Sequence, residues 1–169
     1  MPLARTLLAA SMFLVACSSS SKGTAPGALD DGDAGSLCGE HASLLDDFHA
    51  TASWTGDAGY KAELLDAVPP APSFSAPGGN VWKVKVMDPS GAALGDGAVV
   101  TVRCSMPGHN HDCSGEGATV TSLGGGTFEI SKMVYQMHGF WIINLHVADP
   151  RVKDGGADAD VIPIEICVP

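Results

Sequence analysis

The sequence predicts an all-β domain, an antiparallel β-sandwich of immunoglobulin-like type, from two observations. From Asn80 onward apolar residues recur at every second position in a series of short runs, and each run ends in a turn rich in Gly, Pro, Asp or Ser. Alternation at period two describes a strand with one face in a core and the other in water, and several such strands with turns between them build a sandwich, with a small barrel as the alternative. A stretch of about ninety residues suffices for one small core and not for two.

The strands follow in order. "VWKVKVM" puts Trp82, Val84 and Val86 on one face and Lys83 and Lys85 on the other, and "DPSG" turns the chain. "GAVVTVRC" aligns Ala98, Val100, Val102 and Cys104 inward, and "ATVTS" predicts a short third strand before the turn "LGGG". "TFEISKMVYQ" offers Phe128 and Ile130 to the core. "FWIINLHV" directs Trp141, Ile143, Leu145 and Val147 inward and Phe140, Ile142, Asn144 and His146 outward. After the acidic turn "DPRVKDGGADAD", the run "VIPIEICV" closes with Ile162, Ile164, Ile166 and Val168 on one face, and Pro163 within it marks an edge strand, because proline has no N–H for a second neighbour.

Upstream of residue 80 the composition changes three times. Residues 1–16 carry a basic start at Arg5 and an apolar run from Leu7 to Ala16, the pattern of a secretory signal, in a run too short to span a bilayer. "LVAC" resembles the lipobox of bacterial lipoproteins, which implies cleavage before Cys17 and acylation there. By the same resemblance, Ser18 after the cysteine favours the outer membrane, facing periplasm or surface. Residues 17–36, built of Ser, Gly, Ala and Asp, read as a flexible tether. Residues 37–79 read as a short helical and Pro-rich segment: Leu44, Leu45 and Phe48 lie at helical spacing, "KAELLDAV" suggests a second helical turn, and "PPAPSFSAPGGN" ends it. His41 and His49 are read as solvated. The domain proper spans 80–169.

Composition narrows the function. Removing residues 1–16 takes away one arginine and no acid, so 9 Lys+Arg become 8 against 19 Asp+Glu, a formal net charge of −11. Such a charge argues against a nucleic-acid partner and an anionic lipid surface, so any hold on a membrane is expected from acyl chains at Cys17. With Cys17 set aside, Cys38, Cys104, Cys113 and Cys167 remain, an even number suited to two disulfides in an oxidising compartment. Three pairings are open. Proximity favours Cys104 with Cys113 across one loop, leaving Cys38 with Cys167 to tie the ends of the folded part; thiolates kept for a metal are the rival reading.

One ten-residue stretch stands out, "CSMPGHNHDC" from Cys104 to Cys113, with two cysteines, two histidines and a methionine. In the run "VMDPSGAALGDGAVVTVRCSMPGHNH", followed by "GGGTFEISKMVYQMHGFWIINLHV", the chain resembles the YtkA-like domain, an immunoglobulin-like extracytoplasmic module that is itself similar to the FixH family. The shared features are a proline-glycine turn after the first strand, a Gly-Ala start to the second, "MPGH", "GGGTFEI" and "MHGFW", together covering residues 80–147. The resemblance implies a binding or accessory module, often tied to copper handling or to assembly of membrane redox complexes, without catalytic residues. Cys104 and Cys113 around "MPGH" depart from the usual pattern.

If the strands alternate up and down, the loop after the second strand and the loop after the fourth share one end, and Met106, His109 and His111 face Met137 and His138. Thioether sulfur suits Cu(I) and imidazole binds both copper oxidation states, so copper is the expected cofactor of such a set. Zinc would need Cys104 and Cys113 reduced. No serine sits in a nucleophile elbow and no carboxylate pair is evident, so the chain does not read as an enzyme. The expectation is a cell-envelope lipoprotein whose small accessory domain binds copper. The alternative is a metal-free interaction module that contacts an envelope protein partner through a sandwich face or an edge strand.

Overall fold

Trp82, Val84 and Val86 are fully buried while Lys83 and Lys85 between them are half-exposed, which is the alternation expected of a strand with one face on a core. The computed structural model describes residues 38–169 apart from 42, 44–46, 108, 110, 114–116 and 153–158. The signal of 1–16, acylation at Cys17 and the tether of 17–36 fall outside the described residues. Eight strands are present: β1 Ser53–Thr55, β2 Lys61–Val68, β3 Asn80–Met87, β4 Val99–Ser105, β5 Thr119–Gly124, β6 Thr127–Met133, β7 Gly139–Ala148 and β8 Asp160–Val168.

They form two sheets, one of five strands in the order β1-β2-β3-β6-β5 and one of three in the order β4-β7-β8. Every neighbouring pair is antiparallel. With β1 set aside, β2-β3-β6-β5 opposite β4-β7-β8 is the ABED and CFG arrangement of a constant-type immunoglobulin sandwich. Ala62, Leu64, Phe128 and Ile130 from the larger sheet meet Val100, Ile143, Leu145, Ile162 and Ile164 from the smaller in one core. Each such side chain contributes about 1.5–3 kcal/mol on burial. Antibody domains link strands B and F by a disulfide. Here β3 and β7 take those places and carry Trp82 and Trp141, both fully buried, and the two disulfides lie elsewhere. Pro163 is on β8, an edge strand as expected.

The segment 37–79 departs from the helical expectation. Lys61–Val68 is strand β2, pairing Ala62 with Val86 and Leu64 with Val84, so the five-stranded sheet begins well before residue 80. Lys, Ala, Glu and Leu favour a helix in isolation, but propensity differences of a few tenths of a kcal/mol per residue yield to burial of Tyr60, Ala62 and Leu64 along one strand face. A register shift between Leu64 and Asp66 breaks the alternation, which conceals the strand in the sequence. Of the expected helix, Leu44 and Leu45 lie outside the described residues. Gly39–His41 form a single 3-10 turn, and Phe48 enters the core with its ring centroid 4.9 Å from that of Trp82. His49 is exposed as expected, while His41 is half-buried with its ring stacked on Phe140 at 3.8 Å. Among the described residues no helix is long and apolar enough to cross a membrane.

Strand alternation places the β3–β4 and β7–β8 connections at one end of the sandwich. There the Asp149 carboxylate is buried and accepts hydrogen bonds from Arg151 Nη2 at 2.7 Å, Arg151 Nε at 3.0 Å and the Tyr60 hydroxyl at 3.2 Å. Arg151 Nη2 also reaches the Asp88 carboxylate at 3.1 Å. The Arg151 hydrogen bond, foremost, holds the Asp149 carboxyl down to about 2, while burial, with Asp149 beside it, pushes the Tyr60 hydroxyl up. Asp160 adds a second tie, accepting from the backbone N–H of Ala58 at 3.2 Å and of Tyr60 at 3.0 Å.

Candidate functional site

At the other end lie the β2–β3 connection (69–79), the β4–β5 loop (106–118) and the β6–β7 loop (134–138). The β4–β5 loop opens where Cys104, paired with Ile143 in the ladder, turns its side chain into the core and bonds to Cys113, with Cα atoms 5.3 Å apart. Inside the bridge the backbone folds on itself: His109 N–H donates to the Met106 carbonyl at 3.1 Å, and Met106 N–H donates to the His111 carbonyl at 3.2 Å. A proline at 107 supports the tight path, since its missing N–H is not needed there. Cys38 pairs with Cys167 at a Cα separation of 5.8 Å, and Cys167 lies opposite Phe140 at the start of β7. Both disulfides therefore staple this end, and both pairings are those that proximity favours.

The β4–β5 and β6–β7 loops touch directly. Val134 N–H donates to the Cys113 carbonyl at 2.9 Å, and His111 Nδ1 lies 3.0 Å from Gln136 Oε1. Of the five residues expected around a metal, His109 and His111 are brought together, their ring centroids 6.1 Å apart. Two imidazoles that share a metal at about 2 Å from each nitrogen hold their centroids no more than about 6 Å apart. The pair, at 6.1 Å, lies at that limit, and its donors are of the type copper takes.

The other three residues are placed differently. Met106 is buried in the core and joins the histidines through its backbone. Met137 is half-buried against the core, and its carbonyl accepts from Trp141 Nε1 at 3.0 Å. His138 is exposed, with its ring 4.5 Å from that of Phe74 on the β2–β3 connection. That connection is held by Asn80, which is fully buried and bonds the Ser73 N–H at 2.9 Å, the Ser73 carbonyl at 2.8 Å and the Met133 carbonyl at 3.0 Å. Gly79 beside it must be glycine: its φ is +85°, and a Cβ would lie 2.9 Å from the Lys132 backbone.

Among the described residues no group of three or more His, Cys, Asp or Glu side chains forms a metal cluster. Thioether sulfur falls outside that chemistry, so Met106 and Met137 are the soft donors nearest the pair in sequence and loop. Gln136 and the Asn80–Ser73–Phe74 anchor are invisible to a motif reading. The only advance signal for Gln136 is that strand alternation brings its loop to the histidines. Fold and site together define a disulfide-stapled immunoglobulin-like sandwich with a histidine pair on one loop. No protein-family model, no curated protein and no solved structure matches the chain.

Proposed function

We propose that this chain is a lipid-anchored cell-envelope protein, similar to the YtkA-like modules, whose sandwich buffers or delivers copper through His109 and His111. The observation that carries the reading is the ring pair at 6.1 Å on a disulfide-closed loop. Paired cysteines favour an oxidising compartment, where free thiols are poor ligands and imidazole and thioether remain serviceable. The formal charge of −10 for the whole chain raises the local concentration of cations. When bound, copper would supply a redox-active or transferable ion. His109 and His111 would hold it by ring nitrogens, and Met137, half-buried on the neighbouring loop, is the thioether nearest at hand.

The test is titration of the chain with Cu(I) against a competing chelator, repeated on H109A/H111A. One-to-one binding that disappears in the double variant is the expected outcome. Binding no stronger than the chelator's background, or binding untouched by the substitutions, sinks the reading.

A second reading, a metal-free module for an envelope partner, draws on Val68, Phe74 and Val134, which are exposed at the same end. Under it, pull-down of the partner survives H109A/H111A, and V68D/F74D abolishes it.

A further inference from the structure

We propose that Gln136 is a positioning residue for the histidine pair: its side-chain oxygen accepts a hydrogen bond from Nδ1–H of His111 and so leaves Nε2, with its lone pair, as the ligating atom. The inference rests on the copper reading for its consequence, but its structural half is independent of any metal. With the carboxamide oxygen turned towards His111 Nδ1 at 3.0 Å, the contact is a hydrogen bond when Nδ1 carries the proton, because an amide oxygen accepts and cannot donate. A neutral imidazole has one donor and one acceptor nitrogen, and the partner of the first decides which is free to bind. Metal-binding histidines in general donate their second nitrogen to such a partner, which fixes both tautomer and ring direction.

The support behind Gln136 is rigid. Its loop is joined to the histidine loop by the Val134 N–H bond to the Cys113 carbonyl at 2.9 Å and is followed by the Met137 carbonyl bonded to Trp141 Nε1 at 3.0 Å. Trp141 is fully buried, so the loop is fixed to the core on one side and to the staple on the other. The backbone of His111 is fixed as well, through its carbonyl and Met106 N–H at 3.2 Å. Ring and backbone of one ligand are thus both held before any ion arrives, which reduces the ordering cost of binding. His109 has its ring beside that of His111 and no carboxamide against it among the described residues, so it is the adaptable member of the pair.

The experiment uses the full chain labelled with 15N at histidine, with ring tautomers read by long-range 1H–15N correlation in the absence of metal, beside Cu(I) competition titrations. Wild-type His111 is expected as the Nδ1–H form. In Q136A it shifts towards the Nε2–H form and the Kd for Cu(I) rises about ten- to a hundredfold. Q136E, which keeps an acceptor at that place, restores both.

A His111 tautomer that is the same in wild type and Q136A overturns the proposal, as does a tautomer shift with no change in Kd. Wild-type chain that binds no Cu(I) overturns the function reading and the positioning role with it, while the metal-free spectrum still decides whether Gln136 sets the ring.

Discussion

The two ends of the sandwich solve the same problem by different chemistry. At the end formed by the β3–β4 and β7–β8 connections, charged groups satisfy one another: Arg151 lies between Asp88 and Asp149, and Tyr60 closes the set. At the opposite end, about 30 Å away along the ten residues of β7, covalent bonds replace ion pairs. Cys38–Cys167 and Cys104–Cys113 hold that end. A stapled end can hold its loops in place and still present polar side chains such as His109 and His111 to solvent. Both ends contribute stability, and the stapled one carries the loops on which the proposed function rests.

Breaking the longer staple should produce the largest effect. Cys38–Cys167 spans 129 residues, and in the chain-entropy picture C38S/C167S loses about 4–5 kcal/mol, read as a lower urea midpoint with a steeper slope, because the unlinked unfolded chain exposes more surface. The shorter staple spans 9 residues. C104S/C113S should lose about 2–3 kcal/mol and should also weaken Cu(I) binding, because the histidine loop is no longer restrained. C38S/C167S should leave the affinity of the folded protein unchanged, and equal losses of affinity in the two variants would show that the staples do not divide their roles.

The clasp comes next. D149N should cost about 1–2 kcal/mol, since it weakens charge-assisted bonds to a buried group. The carboxyl of Asp149 is held below its ordinary 3.8, at about 2. A depressed folded value means stability that is complete above the unfolded value and lost as pH falls through the folded one. Wild type should therefore lose this contribution between about pH 4 and pH 2, and D149N should lack that part of the acid transition. The smallest effect belongs to H138A: stability within about 0.5 kcal/mol of wild type and unchanged Cu(I) affinity, because the ring of His138 faces Phe74. A tenfold loss would place His138 in the site after all.

How far the sequence was legible differs between these regions. From β3 to β8 all strands but β5 bury one face, and burial of alternate residues leaves a periodic trace; β5 buries no residue and is marked instead by its β-branched residues and the glycine turn that follows. β2 was hidden because its residues are strong helix formers and a register shift interrupts its alternation after Leu64. The clasp was hidden for another reason: Tyr60, Asp88 and Asp149 are scattered along the chain and meet only through the strand order. In the candidate site, the histidines, the methionine and the cysteines of the β4–β5 loop stood out by local density, whereas Gln136 stands 25 residues from its partner and carries no motif.

The sequence by itself therefore determined the fold class and the inward-facing residues of five strands, and it favoured the cysteine pairing that formed, since period-two burial and the closure of the short Cys104–Cys113 loop are written in residue order. Only the tertiary structure decided that β1 and β2 extend the sheet, that Met106 is buried while His109 and His111 face each other, and that Gln136 holds one of them. Those outcomes depend on which strands become neighbours, and that choice is made by the packing of the whole core rather than by any segment alone.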